Sequence, residues 1–144
     1  LKNGIEYGFV GDVDKADGKM LATLIEAGIT PVMAPLTHDG LGYILNTNAD
    51  TIAAETAKAL APYYDVTLTF CFEKKGVLSN PDDDNSVIPV ITRDDFKRYV
   101  ADGTIAGGMI PKIENALDAI KAGVKKVVIT KADALGNSEG TVIV

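Results

Sequence analysis

Apolar positions along the chain switch between two periods in a regular order. Met20, Leu21, Leu24 and Ile25 recur at helical spacing behind Asp17 and stop at Gly28, which predicts a first helix capped by Asp17. Ala49, Ile52, Ala53, Ala57 and Leu60 share one face of a second helix, with Asn48 as its cap, Asp50 in its first turn and Pro62 beyond its end. A third starts at Thr92-Arg93-Asp94-Asp95, with Thr92 as cap, and ends near Gly103. Ile113, Leu117, Ile120 and Val124 form the stripe of a fourth, opened by Gly107-Gly108 and stopped by Gly123.

Short apolar runs of strand length lie between these helices, at residues 5–13, 29–36, 43–45, 65–72, 87–91, 125–130 and 141–144. The run 29–36 contains Pro31 and Pro35 and reads as a buried strand of a parallel sheet. The run 87–91, with Pro89, reads as an edge strand. Residues 37–42, 73–85 and 132–139 read as turns and loops. Strands alternating with helices predict the α/β class: a single domain over residues 1–144, built as a three-layer αβα sandwich with a mainly parallel sheet.

Composition narrows this picture. At 144 residues and 47% apolar, the chain can bury a core and is not disordered. A formal charge of -6 argues against nucleic acid or an anionic membrane as partner, but not against a small anion held by a local cation. The single cysteine, Cys71, allows no internal disulfide, which fits a cytoplasmic protein. Lying in an apolar run, it reads as a buried structural thiol rather than a nucleophile. There is no secretory signal pattern and no apolar run long enough to cross a bilayer. The opening at Leu1 without a methionine, and residues 1–6 that read as mid-element, predict a fragment lacking its N-terminal part.

Several polar clusters have a plain reading beside a chemical one. Gly8-Phe9-Val10-Gly11 lacks the spacing of a dinucleotide loop and reads as a turn or close backbone approach. Residues 12–18 fail the calcium-loop register at Ala16 and Thr23, which leaves Asp17 as a helix cap. His38, the one histidine, has no second ligand nearby and reads as a solvated turn residue. Asp82-Asp83-Asp84 reads as a solvated loop tip rather than a cation site.

Two strand-to-helix junctions are more informative, because open parallel sheets bind ligands at the carboxyl ends of their strands. Asn46-Thr47-Asn48-Ala49-Asp50 puts two carboxamides and a carboxylate at one junction, and capping explains Asn48 and Asp50 but not Asn46. Gly107-Gly108-Met109-Ile110-Pro111-Lys112 puts bare backbone and a cation at another. Free N–H groups there can face an oxyanion that Lys112 also reaches. Spacing alone leaves open whether those glycines only turn the chain and Lys112 is only solvated.

These motifs, with Lys75-Gly76-Val77-Leu78 between them and Gly140-Thr141-Val142-Ile143 after, resemble the amino acid kinase family in order and spacing, in its N-acetylglutamate kinase branch. The resemblance runs over essentially all 144 residues and lacks the family's opening strand, lysine, glycine-rich loop and later arginine. It implies ATP-dependent phosphorylation of the γ-carboxylate of an N-acetyl- or N-succinylglutamate, in arginine biosynthesis. The implied roles are substrate binding for Asn46 and Asn48, positioning of lysines for Asp50, and stabilisation of the phosphoryl group in flight for Lys112. Glu73, Lys74, Lys75, Gly76, Val77, Leu78, Thr104, Ile105, Ala106, Gly107, Gly108, Met109 and Lys112 would contact ATP. Phe72-Glu73 and two lysines stand where many relatives have a small residue and aspartate, a departure at the nucleotide loop. Mg²⁺ is expected on the phosphates rather than in a protein cage, and the assembly is expected to be a homo-oligomer. Rival readings are a kinase of the same family for aspartate, glutamate, carbamate or a nucleotide, and a nucleotide-binding fragment without catalysis. A dinucleotide oxidoreductase would rest on Gly8 and Gly11 alone.

Overall fold

Helix starts in this chain are written by their caps. In the computed structural model, which describes residues 7–137 and 139–144, α1 (Gly18–Glu26) begins where Asp17 Oδ1 accepts the Met20 N–H at 2.9 Å. Asn48 Oδ1 does the same for α2 (Ala49–Leu60) with the Thr51 N–H at 3.1 Å. Before α3 (Arg93–Ala101), Thr92 and Asp95 exchange side-chain and backbone bonds in a capping box. α4 (Met109–Lys121) differs: Gly108 precedes it and no side chain caps it.

Four strands form the main sheet, β3 (Thr67–Phe72), β4 (Val90–Ile91), β5 (Lys126–Lys131) and β6 (Thr141–Ile143), in the order β3-β5-β6-β4. β3 with β5 and β4 with β6 pair parallel, while β5 with β6 pairs antiparallel, so the sheet is mainly parallel and β4 lies at an edge. The register sets Phe70 beside Ile129 and Val127 beside Ile143 on one face. That face shares a core with the apolar side of α4, where Ile113 and Ala116 are wholly buried and Leu117 nearly so, and with Val124 just past the helix end. α2 packs on β3 and α4, and α3 packs on β4 and α4. This packing brings the first turns of α2 and α4 together.

The hairpin β1 (Leu36–His38) and β2 (Ile44–Asn46) forms a separate antiparallel sheet. Asp39 Oδ1 closes its turn by accepting the N–H groups of Leu41 and Tyr43. His38 is exposed there, its Nδ1 accepting the Gly40 N–H.

Three expectations are corrected. The run 29–36 is not a buried strand: residues 29–35 form none, and Val32 is 93% exposed. Pro31 and Pro35 remove two ladder donors, and β1 pairs only with β2. Within 5–13, residues 5 and 6 lie outside the described set, as does the opening stretch 1–6. In the described part only Val10 bridges to Asn46, and an added Cβ on Gly11 would come within 2.7 Å of Thr37 Oγ1, so this glycine serves a close approach. Cys71 is exposed rather than buried, because strand alternation turns Phe70 and Phe72 toward the helices and Cys71 away.

Candidate functional site

The two junctions singled out by sequence meet through their helices. Asp50 lies in the first turn of α2 and Lys112 in the first turn of α4, 62 positions later, and Lys112 Nζ donates to Asp50 Oδ2 at 3.0 Å. Both side chains are about one-third exposed, so the pair stands at the wall of a cleft rather than in the core. The Lys112 ammonium also lies 4.2 Å from the centroid of the Phe72 ring, within cation–π range. Asn115, one turn further along α4, closes the pocket that Asp50, Phe70, Phe72 and Lys112 line.

Asn48 spends its side-chain oxygen on capping α2. Asn46 ends β2, just ahead of that cap. Its backbone is tied to Phe9 and Gly11, while its exposed carboxamide makes no hydrogen bond among the described residues. It therefore remains available to a ligand at the same end of α2.

Beside the ion pair opens a cavity of about 640 Å³. Among its lining residues are Glu73, Lys74, Gly76, Val77 and Leu78 on one side and Thr104, Ile105, Ala106 and Met109 on the other. Its volume lies within the range of small-molecule sites. Lys75 does not line it and faces Glu139 at 3.9 Å. Phe72 lines both the large cavity and the ion-pair pocket, whereas Lys112 lines only the latter.

Gly107 and Gly108 form the approach to α4. Gly107 takes φ +57°, and a Cβ at either position would meet no atom within 4 Å. Met109 and Ile110 donate their N–H groups to the Ala106 and Gly107 carbonyls at 3.3 and 3.2 Å and Pro111 has none, so an anion approaching this open side meets the N–H groups of Gly107 and Gly108 rather than those of the first turn of α4.

The cavity walls are held from outside. Lys74 pairs with Asp84 at 2.7 Å, linking the exit of β3 to the acidic loop. The hydrogen bond from Lys74, then its charge, holds the Asp84 carboxyl below the usual carboxylate range, and the same contact raises the Lys74 ammonium. Thr141, wholly buried, accepts the Val77 N–H at 2.8 Å and donates to the Ile88 carbonyl at 2.7 Å.

Sequence patterns gave no site role to Phe72, Cys71 or Asp84, although Cys71 and Phe72 line the cavity. Phe72 carried one signal, its departure from the pattern the resemblance implied. Thr141 stood in the Gly140-Thr141-Val142-Ile143 motif of the resemblance, but with no role attached, since a threonine in a β-run is ordinary. Among the described residues, no group of three or more His, Cys, Asp and Glu side chains could hold a metal ion, and no helix is long and apolar enough to cross a membrane.

A family model described as "Amino acid kinase family" matches residues 1–131 of this chain. A Bacteroides thetaiotaomicron protein named acetylglutamate kinase is 66% identical over 137 residues, covering 95% of this chain and 53% of that protein. A Phocaeicola vulgatus protein of the same name is 66% identical over 139 residues, covering 96% of this chain and 54% of its own length. The chain therefore spans about half the length of these relatives. Among solved structures, a Streptococcus mutans protein matches with a TM-score of 0.78 at 36% identity, over 99% of this chain and 53% of that one. N-acetylglutamate synthase from Neisseria gonorrhoeae, complexed with coenzyme A and L-arginine, matches with a TM-score of 0.81 at 24% identity, over 98% of this chain and 34% of that one, which speaks to fold alone.

Proposed function

Since the chain belongs to the amino acid kinase family, we propose that its protein transfers the γ-phosphoryl group of ATP to the γ-carboxylate of an N-acyl-L-glutamate, with N-acetylglutamate as the acceptor. The observation that carries this reading is the Asp50–Lys112 pair, 3.0 Å apart, whose pocket shares Phe72 with the lining of a nucleotide-sized cavity. The shared name of relatives at 66% identity favours this acceptor over aspartate, glutamate, carbamate or a nucleotide, and favours a kinase over a non-catalytic binding module.

The chemistry needs no general base. A γ-carboxyl group, with a reference pKa of about 4.3, is already ionised at neutral pH. One carboxylate oxygen attacks the γ-phosphorus, the bond to the β,γ-bridging oxygen breaks, and its electron pair leaves with ADP. The obstacle is repulsion between two anions, which fixed cations and N–H dipoles offset. Lys112 supplies the cation, and the Gly107 and Gly108 N–H groups ahead of α4 supply the dipoles. Asp50 sets the direction of the Lys112 side chain, and Asn46 receives the acyl amino acid, with Asn48 holding the helix start beneath it.

ATP fits the open space above Gly107 and Gly108, with Glu73, Lys74, Gly76, Val77, Leu78, Thr104, Ile105, Ala106 and Met109 around its body and Lys75 at the rim. Mg²⁺ screens phosphate charge when bound. With no acidic cage among the described residues, it would be carried by the nucleotide. We assign the protein to the cytoplasm and to a homo-oligomer as part of the same reading.

The test is ADP release by the full-length polypeptide with N-acetylglutamate, N-succinylglutamate, aspartate, glutamate and carbamate in turn. Turnover is expected with an N-acylglutamate. Lys112→Ala is expected to lower kcat by about 10²- to 10³-fold, as removal of one fixed transition-state donor does, with the KM for ATP changed far less. Absence of turnover with every N-acylglutamate refutes the reaction, and a normal kcat in Lys112→Ala removes that residue from it.

A further inference from the structure

We infer that Phe72 is a positioning residue for phosphoryl transfer, its ring face holding the Lys112 ammonium at the boundary of the nucleotide cavity. This rests on the role proposed above for Lys112. The geometry supplies two holders of different kind. Asp50 accepts from Nζ at 3.0 Å, and the Phe72 ring lies 4.2 Å from the same nitrogen. A lysine side chain has four rotatable bonds, so one hydrogen bond leaves the ammonium a wide arc.

The nature of the second holder matters chemically. A second carboxylate would fix the ammonium but cancel its charge. An aromatic face attracts the cation through its quadrupole and brings no net charge. The ring therefore adds no countercharge to the ammonium, and Phe72 also lines the nucleotide cavity. Phe70 backs the ring, its centroid 6.2 Å away with a 24° interplanar angle, and Phe70 itself is nearly buried. Phe72 is thus a fixed plate between the core and Lys112.

The experiment is a kinetic cycle in the full-length protein, with Phe72→Leu, Phe72→Tyr, Lys112→Ala and the double variant Phe72→Leu/Lys112→Ala. Phe72→Leu keeps an apolar side chain and removes the ring; a fall in kcat of about 5- to 20-fold is expected, within the range a partly desolvated cation–π contact supports. Phe72→Tyr keeps the face and is expected to stay within about twofold of the parent. In the Lys112→Ala background the leucine change is expected to add nothing to kcat, whatever it does to the KM for ATP. If Phe72→Leu lowers kcat equally with and without Lys112, or Phe72→Tyr is as slow as Phe72→Leu, the ring acts by packing and the inference is overturned. A normal kcat in Phe72→Leu beside a slow Lys112→Ala overturns it alone, whereas a normal Lys112→Ala removes the reading it rests on. A measurement on the unaltered protein guards against misfolded variants. The Lys112 ε-methylene protons are expected to show an upfield ring-current shift, and its absence also overturns the proposal.

Discussion

Thr141→Val tests whether one buried hydroxyl holds the loop after β3 to the sheet. Thr141 is 0% exposed, and its Oγ1 is the acceptor of the Val77 N–H and the donor to the Ile88 carbonyl. Val77 and Ile88 are themselves buried, so water cannot replace either bond. Valine is close to isosteric but offers neither function. The orphaned N–H costs about 1–3 kcal/mol and the carbonyl that loses its donor about 0.5–1.5 kcal/mol, giving about 1.5–4.5 kcal/mol together. The new methyl also sits where the hydroxyl stood, 2.8 Å from a nitrogen and 2.7 Å from an oxygen, well inside carbon contact distance, so the true value falls toward the upper end.

Thr141→Ser is the control. It keeps both hydrogen bonds and removes a methyl group worth about 1 kcal/mol. The assay is urea unfolding of the full-length protein followed by circular dichroism, since the described chain has no tryptophan to report on it. Both variants are then compared for the KM for ATP, because Val77 lines the cavity. The valine variant is expected to lose at least about 1 kcal/mol more than the serine variant and to raise that KM. A valine variant within about 0.5 kcal/mol of the parent, or a serine variant as unstable as the valine one, refutes the reasoning.

The Lys74–Asp84 strap has a definite pH window. Asp84 is lowered in the folded state, so its contribution is present above the ordinary carboxylate range and lost as pH falls through the lowered folded value. Lys74 is raised, so its contribution is lost only as pH rises through its raised value. Carboxyl-carbon NMR should find Asp84 titrating below the usual range in the parent and returning toward it in Lys74→Gln; an unchanged midpoint would remove the strap. Thr92→Ala deletes the cap oxygen that accepts the Asp95 N–H, and should reduce stability by about 1 kcal/mol in the same urea assay without altering kcat.

The readable and unreadable parts of this chain separate by the distance over which they are determined. Asp17, Asn48 and Thr92 cap the helices that their positions announced, because a capping bond reaches only three residues along the chain. Of the stripe Ile113, Leu117, Ile120 and Val124, the first two turned inward on α4 as their spacing required, Ile120 is only partly buried, and Val124 is buried just past the helix end. Residues 29–36 misled because an apolar run states a wish for burial and not where a partner stands; two prolines and the hairpin β1–β2 settled the matter otherwise. Cys71 misled because it was read by residue type rather than by phase: it falls in step with Thr67 and Thr69, on the side of β3 opposite Leu68, Phe70 and Phe72.

For the candidate site, the sequence by itself determined the ends of the two helices and the residue types placed there: Asn46 to Asp50 at one, Gly107 to Lys112 at the other. Caps, glycines and helical periods act among near neighbours, so the chain states them locally. Only the tertiary structure decided that Asp50 meets Lys112, that Phe72 lies against that ammonium, and that Thr141 ties Val77 to Ile88. Each of these contacts spans 40 to 64 positions where it joins distant segments, as the 62 between Asp50 and Lys112 and the 64 between Val77 and Thr141 illustrate. They follow from the register of β3 against β5 and the packing of α2 on α4, which many side chains fix jointly and no short stretch encodes.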